Sequence, residues 1–224
     1  MTLPKISIVT PSFNQAQFIE ETIHSIHDQN YPNLEHMVID GGSTDGTVEL
    51  LRRYEDRLSW VSEQDNGQTE AINKGFRQAS GDLVAWLNSD DLYLPHTLRT
   101  VAHFFQQNPG TDLLFGDCVI IDSTGQPLLE RKEIPFDIGV LLWGLNYICQ
   151  PTVFMRRSLL DIIGYLDETL HYGMDLDYWL RAAIAGARIR HTPQFLAQAR
   201  WHAGAKTLSA LPKMEAELER IRNR

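Results

Sequence analysis

The feature that most constrains this chain is an alternation of short apolar runs with helix-spaced apolar positions through its first two-thirds. Ile6 to Thr10 reads as a short buried strand. Phe18, Ile19, Thr22, Ile23 and Ile26 then recur at helical spacing and stop near Tyr31-Pro32. Leu34 to Asp40 gives a second strand, Trp60-Val61 a short third and Leu83 to Leu87 a fourth. A helix carrying Val48, Leu50 and Leu51, with Ser43 and Thr44 as candidate N-caps, follows the second strand. Another helix runs from Thr69 to Gln78, and Leu98, Val101, Ala102 and Phe105 mark the next. Strands alternating with helices of roughly 10 to 15 residues imply a mainly parallel α/β sheet with right-handed crossovers and flanking helices.

In such sheets ligands bind outside the carboxyl ends of the strands. Pro11-Ser12-Phe13, Asp40-Gly41-Gly42, Asp65-Asn66-Gly67 and Asn88 to Asp91 all follow predicted strands. After about Leu113 the pattern changes. Leu113 to Ile121 and Pro127 to Glu130 form a predicted hairpin around Asp122 to Gly125. Val153 to Met155 is a short strand, and helices are expected from about Ser158 to Ile163 and from Asp175 to Ala185. Ser209 to Arg224 is an amphipathic helix. With no repeat or linker, the chain reads as a single domain, 1–224. It has one half over about 1–112, a second over about 113–208 and a terminal helix over about 209–224.

Charge and cysteine usage narrow the function classes. A formal net charge of −9 argues against a general nucleic-acid binder and against adhesion to anionic lipid by overall charge. Cys118 and Cys149 sit in no CxxC pair, so zinc and redox motifs are not supported, and two buried thiols fit a reducing cytoplasm. No run of 18 apolar residues exists, and Met1 to Lys5 leads into a strand without a signal-peptide pattern. The expected location is cytoplasmic.

Four segments could carry chemistry. Ser89-Asp90-Asp91 places adjacent carboxylates at a strand end, where they repel unless a cation or solvent compensates. Oxygen ligands suit Mg²⁺ or Mn²⁺; the alternative is a dipole partner for the helix after Pro95. Asp40 to Thr47 has glycines that let a backbone approach a ligand, but its spacing is neither GxGxxG nor GxxxxGK[ST]. Asp40 there accepts bonds from a base or ribose, or caps its own turn. Asn73 is an odd choice for a helix interior. Asp175 opens a helix with apolar Leu176, Trp179, Leu180 and Ala183, either as a cap or as a general base.

In this order, and over Ile6 to about His202, the segments resemble inverting family 2 glycosyltransferases of the GT-A fold. The resemblance rests on Thr10-Pro11-Ser12-Phe13-Asn14, Asp40-Gly41-Gly42-Ser43, Asn73-Lys74-Gly75, Ser89-Asp90-Asp91 and Asp175. It implies a Rossmann-like GT-A sheet, a nucleotide-sugar donor bound by the first half and an acceptor-side second half. Thr10, Pro11, Ser12 and Asp40 would hold base and ribose, with Asp65 and Asn73 bordering the nucleotide. The DxD segment falls on Asn88-Ser89-Asp90, so Asn88 and Ser89 join the donor site. Asp90, Asp91 and His202 would face a divalent metal, Mn or Mg, and Asp175 would be the base.

Two departures are visible: Asn88 replaces an acid and brings no charge, and Met174 replaces the acid before the base. The acceptor would be the hydroxyl of a sugar, glycolipid or polysaccharide in bacterial surface synthesis. The apolar run Leu141 to Tyr147 suits sugar rings or a lipid carrier. An oligomer and a peripheral contact at the inner face of the membrane stay open. The rivals are a degenerate sugar-nucleotide binder and a sugar nucleotidyltransferase. The latter needs a glycine-rich basic loop where Pro11 to Gln15 stands.

Overall fold

The structure is a computed structural model that describes residues 2–143, 146–202, 204 and 211–222, without the side chains of 211–215 and 222. Its strands are β1 (Ile6–Ser12), β2 (Leu34–Asp40), β3 (Ser59–Ser62), β4 (Leu83–Trp86), β5 (Leu92–Tyr93), β6 (Leu113–Ile121), β7 (Pro127–Arg131), β8 (Phe154–Arg156) and β9 (Ile189–Arg200). Its helices are α1 (Ile19–His27), α2 (Thr47–Leu51), α3 (Gln68–Gln78), α4 (Thr97–Gln107), α5 (Ile138–Leu142), α6 (Ser158–Ile163), α7 (Met174–Ile184) and α8 (Leu211–Arg222).

These strands form one nine-stranded sheet in the order β3-β2-β1-β4-β8-β6-β9-β5, with β7 paired to β6. β3, β2, β1 and β4 are mutually parallel, as the βα alternation requires. β8 runs antiparallel to both β4 and β6, which turns β6 and its parallel partner β9 back to the direction of β1. The sheet is therefore mostly parallel in direction, with β5, β7 and β8 reversed. Every residue of β1 is buried, which explains its lack of a polar face. α3 lies so close to β1 that a Cβ on Gly75 would stand 2.4 Å from Val9 Cγ1.

Boundaries follow the sequence pattern closely, apart from the cap of α2 and from strands β5 and β9. α2 starts at Thr47 behind Gly46, a left-handed residue with φ of +100°, so neither Ser43 nor Thr44 caps it. Ser43 instead donates to Asp40 and accepts from the Asn14 N–H, while Asp45 takes the Thr47 N–H. β9, the longest strand at 12 residues, was not anticipated. Pro193 and the polar Arg190, His191, Gln194 and Gln198 obscure its periodicity. The β6–β9 register slips between Gly116 and Asp117, so Pro193, which lacks an N–H, falls in a bulge.

The larger core cluster joins α3 and α7 to one face of the sheet, with Trp86 of β4 stacked on Trp179 of α7 at 5.5 Å. Buried Ile221 and half-buried Leu218 of α8 pack against that same cluster, so the terminal helix packs on the domain. Cys118 and Cys149 are free, buried and share a small apolar cluster. Among the described residues no helix is long and apolar enough to cross a membrane.

Candidate active site

Parallel strands β1, β2 and β4 end side by side, and their loops supply the first half of the site. The Ser12 carbonyl accepts the Gly41 N–H at 2.8 Å, locking the first two loops together. Asp40 is fully buried and accepts from the N–H groups of Gly42 and Ser43 and the hydroxyls of Ser43 and Ser62. Asp65 reaches across to Gly41, where a Cβ would stand 3.0 Å from Asp65 Oδ2. Burial lifts the Asp65 carboxyl above its ordinary pKa, against the pull of the Gly67 N–H and Lys74. Ser12 Oγ is buried without a hydrogen-bond partner, an orphan group in this cradle.

The turn after β4 is held from three directions. Thr22 of α1 places its hydroxyl 2.9 Å from the carbonyls of both Ser89 and Asp91. Arg200, buried at the end of β9, donates its backbone N–H to Asp91 Oδ1 and its Nε to the Asp90 carbonyl. Its guanidinium also bonds Glu21 and lies 4.9 Å over the Phe18 ring. Asp91 is closed off: Asn88 Nδ2 occupies its second oxygen. Burial first, and then the neighbouring Asp90 charge, push its pKa well above the usual carboxylate range.

Asp90 is the open carboxylate of the pair. Its Oδ2 is 3.0 Å from His202 Nε2, and the two side chains are 19% and 14% exposed. His202 rests against Phe18, ring centroids 4.8 Å apart. Among the described residues no group of three or more His, Cys, Asp or Glu could hold a metal ion. A hard cation here would take one carboxylate and one imidazole from the protein. Mg²⁺ sites commonly use one or two carboxylates plus substrate phosphates and water, so Asp90 with His202 fits and the enclosed Asp91 does not.

On the other side, Asp175 is half-buried in the first turn of α7. Its Oδ1 accepts its neighbour's Leu176 N–H and its Oδ2 accepts Asn146 Nδ2, each at 2.8 Å. Burial raises its pKa, and these two donors only partly oppose the rise. A half-buried carboxylate with raised proton affinity is a candidate base. Asn146 Oδ1 is buried without a partner. One segment links the two carboxylate centres. Asn146 holds Asp175, and Gln150 bonds Asn88 at 3.2 Å and the Trp86 carbonyl at 2.9 Å.

Comparison with known proteins decides the family. A sequence model of glycosyl transferase family 2 matches residues 7–164. The chain belongs to glycosyl transferase family 2. A PGL/p-HBAD biosynthesis glycosyltransferase of Mycobacterium bovis is 33% identical over 186 residues, 81% of this chain and 70% of the relative. The structure of S. aureus TarS 1-349 in complex with UDP-GlcNAc superposes with a TM-score of 0.77 at 24% identity. The match covers 97% of this chain and 65% of that one. Mannosyltransferase PcManGT from Pyrobaculum calidifontis, in complex with GDP-Man and Mn²⁺, gives 0.73 at 22% identity, covering 99% and 64%. This family 2 chain thus spans about two thirds of those structures, and its sheet is of the GT-A type.

Within this family 2 fold several predicted residues take unexpected places. Thr10 bonds His36 Nε2 at 3.0 Å, and burial brings that imidazole down to about 3, so it is neutral. Pro11 and Ser12 beside Thr10 are buried as well. Asn73 is buried and its side chain is already paired. Its amide bonds Leu166 N, Leu166 O and Glu168, because its face of α3 meets the loop between α6 and α7. Asn88 also spends its amide internally, on Gln68, Asp91 and Gln150. Ser89 is buried with its carbonyl on Thr22. Met174 turns inward and accepts the Thr69 hydroxyl.

The sequence reading missed Arg200, Gln150 and Asn146 as site residues. Two more support Asn146. Arg131 donates to the carbonyls of Asn146 and Tyr147, and lies 2.7 Å from Glu133 Oε1. That contact is an ion pair without hydrogen-bond alignment, since Glu133 Oε1 has no bonded donor. A charged pair at the end of the hairpin strand β7, Arg131 and Glu133, followed by an apolar run, was the available signal.

Proposed function

We propose that this protein is a metal-dependent inverting glycosyltransferase that moves a sugar from a nucleotide-diphospho-sugar to an acceptor hydroxyl. One observation carries the reading. Two unlike carboxylates stand out, Asp90 paired with His202 after β4 and Asp175 paired with Asn146 in α7, and the Asn146 to Gln150 segment runs from the partner of Asp175 to Asn88 in the turn that carries Asp90. The donor sits on the loops after β1, β2 and β4, its base and ribose against Pro11, Ser12 and the turn that Asp40 stabilises. Asp65, laid against Gly41, borders the nucleotide. Asp90 and His202 would hold Mn²⁺ or Mg²⁺, with Ser89 and Asp91 shaping the turn, and such an ion would supply positive charge to the leaving diphosphate.

Asp175 accepts the proton of the acceptor hydroxyl as that oxygen attacks the anomeric carbon from the face opposite the diphosphate, which inverts the centre. Asn146 fixes the rotamer of the base through its N–H. The relatives' donors, UDP-GlcNAc for TarS and GDP-Man for PcManGT, support the nucleotide-sugar class. A sugar, glycolipid or polysaccharide acceptor in bacterial surface synthesis, and a cytoplasmic location beside the membrane, complete the proposal.

The test is turnover of a panel of UDP- and GDP-sugars with Mn²⁺, alone and with hydroxyl acceptors. Asp175→Asn is expected to lower turnover by roughly 10² to 10⁴ with donor affinity kept. Asp90→Ala should abolish stimulation by Mn²⁺ and the thermal stabilisation given by nucleotide plus Mn²⁺. A folded Asp175→Asn enzyme within tenfold of wild type would overturn the base, and donor binding without any turnover would identify a degenerate binder.

A further inference from the structure

The helix that carries Asp175 begins without a cap of its own. α7 starts behind Gly173, which has no side chain to offer, yet the first N–H groups of a helix need acceptors. Asp175 itself takes the Leu176 N–H, while the N–H of the N-cap glycine and those of the two residues before it find their acceptor at the far end of the chain. Glu217 of α8 takes the N–H groups of His171 at 2.9 Å, Tyr172 at 2.7 Å and Gly173 at 3.1 Å. Three successive N–H groups around one carboxylate make an anion nest. Burial raises the Glu217 pKa, but these donors outweigh it and the carboxyl is held below its ordinary value, so it is ionised at neutral pH.

The rest of α8 fits the same segment. A Cβ on Gly173 would stand 2.6 Å from Ile221 Cδ1 and 3.3 Å from Leu218 Cδ2, so the two elements meet with no room for a side chain. Arg220 donates to the Thr169 carbonyl at 3.3 Å and hydroxyl at 3.2 Å. Residues 169–173 are thus gripped at both ends, and Asp175 is the second residue of the helix they launch.

We propose that Glu217 is a positioning residue for the base, and that α8 is the clasp that fixes where Asp175 points. The proposal rests on Asp175 being the base. The proposed donor contacts lie on the loops after β1, β2 and β4 and at Asp65, and the clasp approaches them through His171 beside Gly67, so losing it should lower the rate more than it weakens donor binding. A misplacement of about 1 Å can cost a reaction of order 10²-fold.

The experiment compares full-length wild type, Glu217→Gln, Glu217→Ala and Asp175→Asn on the UDP- or GDP-sugar that the wild type turns over with Mn²⁺. Hydrogen exchange is followed at the amides of residues 171–173. Glu217→Ala should lower kcat of order 10²-fold, leave donor KM nearly unchanged and expose those amides to exchange. Glu217→Gln keeps one acceptor oxygen and should fall between it and wild type. Should Glu217→Ala fail to fold, the isosteric glutamine variant carries the comparison. Wild-type kcat in a folded Glu217 variant whose 171–173 amides exchange faster overturns the clasp. So does a kcat loss matched by an equal rise in donor KM. An active Asp175→Asn enzyme overturns the base itself, whereas an inactive one beside a fully active Glu217→Gln overturns the clasp alone.

Discussion

Glu133 should make this protein less stable as pH rises through neutrality. Its side chain is 4% exposed, and burial lifts its pKa from 4.5 to about 7. The Arg131 guanidinium opposes that rise, and the nearby Asp117 adds to it. In the unfolded chain Glu133 ionises near its ordinary value, so between these limits only the unfolded state has released the proton. A raised folded pKa gives stability that is complete below pH 4.5 and is lost as pH climbs through about 7. The gap, at about 1.4 kcal/mol per pH unit, amounts to about 3 kcal/mol, of which some 2 to 3 falls between pH 5 and pH 8. Glu133→Gln keeps the shape and cannot titrate. Urea unfolding of both proteins at pH 5, 6, 7 and 8 isolates the term as the pH dependence of their difference, because any constant loss of the Arg131 contact cancels. The variant should gain on wild type by about 2 to 3 kcal/mol across that range. A difference flat to within about 0.5 kcal/mol would refute the claim that burial outweighs Arg131 at this site. The site matters beyond stability, because Arg131 also holds the carbonyls flanking the base's partner Asn146.

Two packing predictions follow from the fold. Asn73→Ala removes two buried bonds to Leu166 and a half-exposed one to Glu168, and leaves the Leu166 backbone unpaired. A loss of about 2 to 4 kcal/mol in urea unfolding is expected, and donor affinity should be unchanged. Gly75→Ala gains about 1 kcal/mol of helix propensity but drives a methyl into Val9. The net should be a loss of about 1 to 3 kcal/mol by thermal melt, and a stabilised protein would show that α3 can lift off β1 freely.

What the sequence made legible was local or periodic. β2, β6 and α6 carry their boundaries on their faces, since buried parallel strands and amphipathic helices impose periods that single residues cannot hide. The strand-end loops were legible for the same reason, because a parallel sheet dictates where its carboxyl ends lie. Long-range polar pairing was not legible. Asp91 and Asp90 are neighbours in sequence, and Arg200, 109 residues beyond Asp91, joins Asn88 in enclosing one while the other stays open. The family resemblance put Asn73 beside the nucleotide, and the residue alone was only an odd choice for a helix interior; its amide pairs with backbone 93 residues on. β9 hid because its inward residues are set by bulges against β6 rather than by strict alternation.

The amide at position 88 shows how such pairing reshapes a motif. Read along the chain, Asn88 is a missing charge. In the fold its Nδ2 donates to Asp91 Oδ2 and to Gln150, while its Oδ1 accepts from Gln68. Only a side chain with both a donor and an acceptor can fill that place. An aspartate there would lose both donated bonds and set a second charge 3.1 Å from a carboxylate that burial already penalises. Asn88 therefore compensates Asp91 from within the chain. It also ties the turn to Gln150, and through the 146–150 segment to the partner of Asp175. The charge is absent where a donor to the enclosed Asp91 is needed, and it is kept at Asp90, the one carboxylate of the turn that faces His202.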